Sequence, residues 1–172
     1  MTMKKTLTVL LALSGLAAAS PSAYVEKAFE FGYVYPSTAQ IGVEYPVSLD
    51  FPVDVGFESS ARYNFTTQKF GGEFAVKALL FPSLSVDPPM AVALRADVNA
   101  GTDFWGIHAG PLISFDFTEF TVNAGVYPGF GTGGFQLGYH AGFRYYFDME
   151  NMSSVDLSVK NNTFALSARF GF

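Results

Sequence analysis

Alternation between apolar residues and small or polar residues recurs along this chain from Tyr24 to its end. Because successive side chains of a β-strand point to opposite sides, this pattern predicts strands with one apolar face. The last segment shows the pattern most clearly, with five apolar residues on one parity: Phe164, Leu166, Ala168, Phe170 and Phe172. No stretch keeps a 3.6-residue apolar period for long, so the alternation predicts an all-β protein.

Clusters of Pro, Gly, Asn, Asp and Ser divide the chain into ten such segments. They span residues 24–35, 38–47, 53–65, 69–81, 89–100, 104–115, 119–128, 134–147, 152–160 and 163–172. The connections between them are short, and we see no domain boundary. Even strand numbers are typical of antiparallel membrane barrels, so we expect ten strands in a closed antiparallel barrel, with eight as the alternative.

The two parities differ in charge and in size. Within the strands, the parity opposite to the apolar one carries almost all charged residues and both histidines, and it is also rich in glycine. The exception is Lys27, a charge on the apolar parity near the start of the first segment. Each strand therefore has one apolar face and one charged, glycine-rich face.

Three observations decide which face looks inward. The apolar face carries more large residues than the interior of a small barrel can hold. Glycines on the charged parity suit a narrow interior, and charged residues make up only 15% of the chain, against about 25% in a soluble domain. We therefore predict a transmembrane barrel with an apolar outside and a charged lumen, and keep a soluble lipocalin-like ligand binder as an alternative.

Cross-strand pairing supports this orientation. A hairpin closed at residues 66–68 places Arg62 opposite Glu73 and Glu58 opposite Lys77, and opposed charges of unlike sign stabilise a sheet. The whole predicted lumen charge network comprises Glu58, Lys77, Arg62, Glu73, Asp97, His108, Arg144, Asp156 and Arg169. Asp97 faces His108 in it, and Asp156 lies diagonal to both Arg144 and Arg169.

One predicted pairing is unfavourable, because the first hairpin would set Glu30 opposite Glu44. Three explanations stay open from the sequence. Barrel closure could bring Arg169 near, a raised pKa or a bound cation could relieve the repulsion, or the assumed register is wrong.

The first 19 residues have the pattern of a cleaved signal peptide. Lys4 and Lys5 precede an apolar run over residues 7–16, and small residues follow at 17–19. The apolar run is shorter than the roughly 20 residues that a membrane-spanning helix needs. We expect residues 20–172 to form one exported barrel domain. The chain has no cysteine and a net charge of -5, which argues against a disulfide framework and against nucleic-acid binding.

Together with the signal peptide, the amphipathic strands and the tight turns, the terminal A-R-F-G-F resembles the end of small bacterial outer-membrane β-barrel proteins. Relatives of the OmpA/OmpX type have eight strands, and omptin-like proteases have ten. The resemblance implies an outer-membrane location with both termini in the periplasm. It also implies that Phe164, Phe170 and Phe172 form the assembly signal that the barrel-insertion machinery reads.

We find no strong catalytic pattern. Asp97 with His108 could be an acid–base pair, but Ser114 lies six residues along the strand from His108, too far for a nucleophile. His140 faces inward without an obvious serine or lysine partner for a lipid-modifying enzyme. Residues 129–134 lack phosphate-loop spacing, and we interpret them as a flexible outer loop. The sequence predicts no enzyme, no cofactor and no metal site, with Glu30 and Glu44 as the best cation candidate.

These observations favour a structural, envelope-integrity barrel whose lumen is largely plugged by salt bridges. The main alternative is a narrow pore for water or small ions, because ten strands lie just above the size that side chains fill. A barrel enzyme acting on lipid or protein is a third hypothesis. The expected partners are outer-membrane lipid and the insertion machinery, and the oligomeric state is open.

Overall fold

A computed structural model describes residues 22–47 and 52–172, which contain ten β-strands. They are β1 (Ala28–Val34), β2 (Thr38–Val47), β3 (Asp54–Asn64), β4 (Lys69–Phe81), β5 (Met90–Gly101), β6 (Phe104–Asp116), β7 (Phe120–Gly131), β8 (Gly134–Asp148), β9 (Ser153–Lys160) and β10 (Thr163–Gly171). Each strand pairs antiparallel with its neighbours in sequence, and β1 pairs with β10. The closed ten-stranded barrel is confirmed, whereas the predicted signal peptide lies outside the described residues.

The two ends of the barrel differ. The start of β1 and the end of β10 lie at one end, which we call the terminal end. The turns after β1, β3, β5, β7 and β9 lie at the other, which we call the hairpin end, and all are short. Asn161 and Asn162 both adopt positive φ (49° and 65°), as a two-residue type I′ turn requires.

The predicted orientation of the faces is confirmed. Large apolar side chains cover the outside, where Phe70 is 69% exposed and Leu137 58% exposed. Charged side chains fill the inside, where Arg95, Arg144 and Lys77 are fully buried. This is the reverse of a soluble ligand-binding barrel. Within the described residues no helix is long and apolar enough to cross a membrane.

Lys27, the one charge expected on the apolar parity, lies at the rim of the terminal end. Its Nζ is 4.4 Å from the centroid of the Phe172 ring and 5.5 Å from that of Tyr45. The ring of Phe172 also stacks on Phe29. A cation over aromatic faces at the edge of an apolar surface is stabilised by the ring quadrupoles while its charge stays in contact with water.

The first strand begins later than the sequence predicts. β1 starts at Ala28, which pairs with Gly171 at the end of β10. The last backbone contact at this edge is the Phe172 amide donating to the Lys27 carbonyl. Residues 22–26 lie before this edge of the sheet and turn into the lumen, where Ser22, Ala23 and Glu26 are buried.

The interpretation of residues 129–134 as a flexible loop is wrong. β7 continues to Gly131 and β8 begins at Gly134, so the connection is short. A Cβ on Gly129 would lie 2.2 Å from the Ile107 carbonyl oxygen and 2.5 Å from Cδ2 of His108. Glycine at this position makes room inside the barrel for the His108 ring, which explains a glycine-rich stretch within strands.

Three predicted registers are wrong by two residues. Asp156 lies directly opposite Arg144 rather than diagonal to it, since the pairing of β8 with β9 shifts between Tyr146 and Asp148. Glu73 lies opposite Ser60, and Arg62 opposite Gly71, because the turn between β3 and β4 is centred one residue earlier than assumed. The Asn64 side chain accepts hydrogen bonds from the amides of Thr66 and Thr67 and so closes this turn.

In the first hairpin, Glu44 lies opposite Ala28, and Glu30 lies opposite Gly42. The two glutamates therefore do not face each other, and the unfavourable pairing came from the wrong register. Barrel closure does set Arg169 opposite Glu30, as one of the sequence explanations proposed.

The orientation predicts a depth-dependent cost for a charge on the outside. Leu166 lies in the middle of β10 and is 55% exposed, so Leu166→Lys should lower the free energy of unfolding in a lipid bilayer by about 2–4 kcal/mol. The matched control is Phe70→Lys at the hairpin-end rim, which should cost about 0–1 kcal/mol. Urea titration of protein folded into vesicles measures both, and equal costs would contradict the orientation.

Candidate functional site in the lumen

A continuous chain of ion pairs runs through the lumen. Every link joins an acidic and a basic side chain with N–O distances between 2.5 and 3.3 Å. Its members are Glu26, Glu44, Glu58, Arg62, Glu73, Lys77, Arg95, Asp97, His108, Arg144, Asp156, Lys160 and Arg169. We call this set the lumen network.

Glu73 is one centre of the lumen network. Its carboxylate lies 3.2 Å from Arg62, 2.6 Å from Arg95 and 3.0 Å from Lys160. β4 and β9, which carry Glu73 and Lys160, are five strands apart in either direction around the barrel. The Lys160–Glu73 pair therefore connects opposite walls of the lumen, and we call it the cross-lumen bridge.

Arg95 is a second centre, and it is fully buried. Its guanidinium lies 2.9 Å from Glu58, 2.6 Å from Glu73 and 2.5 Å from Asp97. It also lies over the ring of Tyr127, 5.6 Å from the centroid. Three carboxylates and an aromatic face thus surround one guanidinium, which compensates the loss of its hydration.

A second part of the lumen network lies nearer the terminal end, and we call it the lower part. Lys77 contacts Glu44 at 2.6 Å and Glu58 at 3.3 Å. Arg144 donates from Nε and Nη2 to the carboxylate of Asp156, which lies opposite it on β9. Two-point contacts of this kind fix the orientation of a guanidinium and also compensate its charge.

Residues 22–26, which we call the inner segment, supply a further acid to this lower part. Oε2 of Glu26 lies 2.7 Å from Arg144 and 3.2 Å from Arg169, and Oε1 accepts a hydrogen bond of 2.8 Å from the Tyr146 hydroxyl. Sequence reasoning placed Glu26 on the charged parity of a strand. It missed that this residue enters the lumen ahead of the first strand.

Most of the predicted pairs are in contact in the structure. Arg62 lies 3.2 Å from Glu73, Glu58 lies 3.3 Å from Lys77, and Asp97 lies 3.2 Å from His108. The first two make contact diagonally, because the register differs by two residues. Long side chains can reach diagonal neighbours across strands, so the pairs persist despite the register.

Arg169 lies opposite Ser154 on β9, so Asp156 is diagonal to it, the placement that the sequence predicts. The ion pairs of its guanidinium are nevertheless with Glu44 at 2.6 Å and Glu26 at 3.2 Å. Glu30 accepts a hydrogen bond of 2.6 Å from Gln40, which in turn accepts one from Arg62. Glu44 itself is neutralised by two cations, Lys77 and Arg169, each 2.6 Å away.

Several important lumen residues were not selected from the sequence. They are Gln40, Arg95, Tyr127, Tyr146 and Lys160, all buried. Each lies on the charged parity of its strand, so parity alone could have found them. Only the closed, curved wall shows which of them meet, because contacts such as Lys160 with Glu73 join strands that are distant in the sheet.

The geometry does not assemble the nucleophile considered from the sequence. The Ser114 hydroxyl donates to Asn123 at 2.6 Å and accepts from the Ala23 amide at 2.7 Å. His108 has a separate set of partners, namely Asp97, Asn99 and Gln136. Within the described residues, no group of three or more His, Asp or Glu side chains is arranged to hold a metal ion.

A few buried polar atoms of the lumen have no hydrogen-bond partner in the described part of the chain. They include both ring nitrogens of His140, the hydroxyl of Tyr127, Nη1 of Arg62 and Nε of Arg169. A cavity of about 20 Å³ lies beside Glu30, Glu44, Glu58 and Arg169. This volume is sufficient for about one water molecule.

The lumen network predicts unequal costs for removing buried and exposed acids. Glu73→Ala leaves Arg62, Arg95 and Lys160 without a shared carboxylate, and should lower the free energy of unfolding by about 3–5 kcal/mol. The matched control is Asp103→Ala, which breaks an exposed pair with Lys69 and should cost about 0–1 kcal/mol. Similar urea unfolding curves for the two variants would show that the lumen carboxylate is solvated rather than buried.

Comparison with solved structures identifies a similar fold in a channel protein. The structure of a KdgM porin in complex with disordered oligogalacturonate matches with a TM-score of 0.54 and 7% identity, covering 84% of this chain and 99% of that one. A second KdgM porin structure matches with a TM-score of 0.48 and 8% identity, covering 85% of this chain and 98% of that one. No family model matches the sequence, and no curated protein matches it. The first likeness agrees with the barrel class of the resemblance and does not single out the OmpA/OmpX type.

Proposed function

We propose that this chain is an outer-membrane β-barrel with a structural role in the envelope and a lumen closed to ions. The observation that carries the proposal is the cross-lumen bridge, in which Lys160 lies 3.0 Å from Glu73 on the opposite wall. Arg62 and Arg95 contact the same carboxylate, so the lumen is crossed by charged side chains that neutralise one another.

The outer-membrane location rests on the outer surface and on the fold. In a closed barrel the strands pair their backbone N–H and C=O groups with one another, and an apolar, aromatic-rich outer surface can then face lipid. The likeness in fold to a KdgM porin supports the same environment. Export by the signal peptide of residues 1–19, and assembly through Phe164, Phe170 and Phe172, remain predictions of this proposal.

Barrel size supports closure. Eight-stranded barrels are filled by side chains, and only much larger ones leave a wide aqueous channel. In this ten-stranded barrel the additional lumen volume is occupied by long side chains, such as Arg95, Arg144 and Tyr127, and by the inner segment. Both kinds of filling are needed, because ten strands enclose more space than eight.

A narrow pore for water or small ions is the second candidate, and two observations favour it. The chain resembles the fold of a protein described as a porin. The unpartnered polar atoms of His140, Tyr127 and Arg62 would gain hydrogen bonds from water in the lumen. Catalysis has less support, because Ser114 and His108 engage different partners.

Planar-bilayer recording distinguishes the two candidates. The protein is refolded in detergent, its folded state is verified by a heat-modifiability gel, and the same sample is added to the bilayer. We expect no current beyond leak, because the cross-lumen bridge and its neighbours obstruct the lumen. A porin reconstituted in parallel controls for insertion into the bilayer. Stepwise currents from verified, folded protein would overturn the closed lumen and establish the pore.

A further inference from the structure

The inner segment, residues 22–26, contacts the barrel without being part of its sheet. The Ala23 amide donates to the Ser114 hydroxyl, the Glu26 amide donates to Glu44, and the Ser22 carbonyl accepts from Lys77. Each of these contacts joins the backbone of the segment to a side chain of the wall. The strand ladders of the barrel are complete without the segment, since β1 begins at Ala28.

The wall provides a matching surface for the segment. Ala23 packs into a small apolar cluster with Leu79, Ala91, Ala93 and Leu112 on the lumen side of β4, β5 and β6, and Tyr24 packs against this cluster. On the other side Val25 lies over Gly56, where an added Cβ would come within 2.6 Å of Cγ1 of Val25. Gly56 therefore leaves the space that Val25 fills.

The Glu26 carboxylate occupies the most specific part of this surface. Arg144 at 2.7 Å, Arg169 at 3.2 Å and the Tyr146 hydroxyl at 2.8 Å converge on it from β8 and β10. Two guanidiniums and a hydroxyl that donate to one carboxylate form a built binding site for that carboxylate, because charge-assisted hydrogen bonds are directional and strong. The polar contacts of the segment come from β2, β4, β6, β8 and β10, on all sides of the lumen.

From these observations we propose that the terminal half of the lumen is a receptor groove for the chain's own inner segment, which acts as a removable plug. Among the described residues, the covalent connection of the segment to the barrel runs through Lys27 to Ala28, and no strand pairing is lost when the segment leaves. This proposal rests on the closed barrel proposed above. When the plug leaves, the terminal half of the lumen opens while the cross-lumen bridge stays in place. The groove recognises a short peptide that carries two small residues and, three positions after the second, a carboxylate.

Cysteine accessibility tests the plug, because the natural chain contains no cysteine. Ala93→Cys places a thiol under Ala23 in the groove, where residue 93 is fully buried. The thiol reagent is 2-(trimethylammonium)ethyl methanethiosulfonate, added to detergent-folded protein. Thr66→Cys in an exposed hairpin-end turn reports the uninhibited rate.

Two variants remove the plug in different ways, deletion of residues 22–26 and Glu26→Lys, which sets a cation against Arg144 and Arg169. Each should raise the labelling rate of Ala93→Cys at least tenfold, while Thr66→Cys stays unchanged. Lys27→Gln is the matched control, because that side chain points outward onto Phe172 and should leave the rate unaltered.

A synthetic peptide of residues 20–27 added to the deletion variant should restore slow labelling, and the same peptide with Glu26→Lys should not. Folded deletion protein that labels within twofold of the parent would overturn the plug, as would equal protection by both peptides or protection by neither. Failure of both variants to fold on the heat-modifiability gel would also overturn it, since the segment would then be an integral part of the barrel. The rates are read without current, so this test is separate from the test of the closed lumen.

Discussion

A charge inside a barrel that faces lipid must be paired, and this constraint accounts for most of the interior. Transferring an ion out of water costs several kcal/mol even after relaxation, so buried ions persist where opposite charges and hydrogen bonds surround them. Arg95, Arg144 and Lys77 are fully buried, and each contacts at least two carboxylates. The same requirement explains the inner segment, because Glu26 lies 2.7 Å from Arg144 and 3.2 Å from Arg169 and neutralises both guanidiniums.

Volume is the second constraint on the lumen. Long charged side chains and aromatic rings project inward from a narrow wall, so their neighbours must be small. Tyr127 illustrates this, since a Cβ on Gly125 would lie 2.2 Å from its hydroxyl oxygen. Glycines on the charged parity therefore make room for the large side chains beside them. Charge pairing and volume together explain which side chains line the lumen and where the glycines lie between them.

The sequence predicted the strands, their faces and many of the lumen charges, because alternation is a local property that survives in the closed barrel. It did not predict the registers of the first hairpin or of the hairpin at residues 65–68, where the Asn64 side chain shapes the turn. It extended the first strand to residue 24, because Glu26 falls on the parity that faces the lumen and therefore fits the strand pattern, although it enters the lumen ahead of the strand. The contact of Lys160 with Glu73 depends on closure of the whole sheet. Comparing neighbouring strands in pairs cannot predict it.

The central claim is that Lys160 and Glu73 meet across the lumen out of contact with bulk water. A double-mutant cycle with Lys160→Met, Glu73→Gln and the combined variant, measured by urea unfolding from lipid vesicles, tests this claim most directly. The contacts of Glu73 with Arg62 and Arg95 cancel in the cycle, so the coupling reports the bridge itself. The structure predicts a favourable coupling of about 1–3 kcal/mol. Additivity within about 0.5 kcal/mol would contradict the bridge and, with it, the closed lumen.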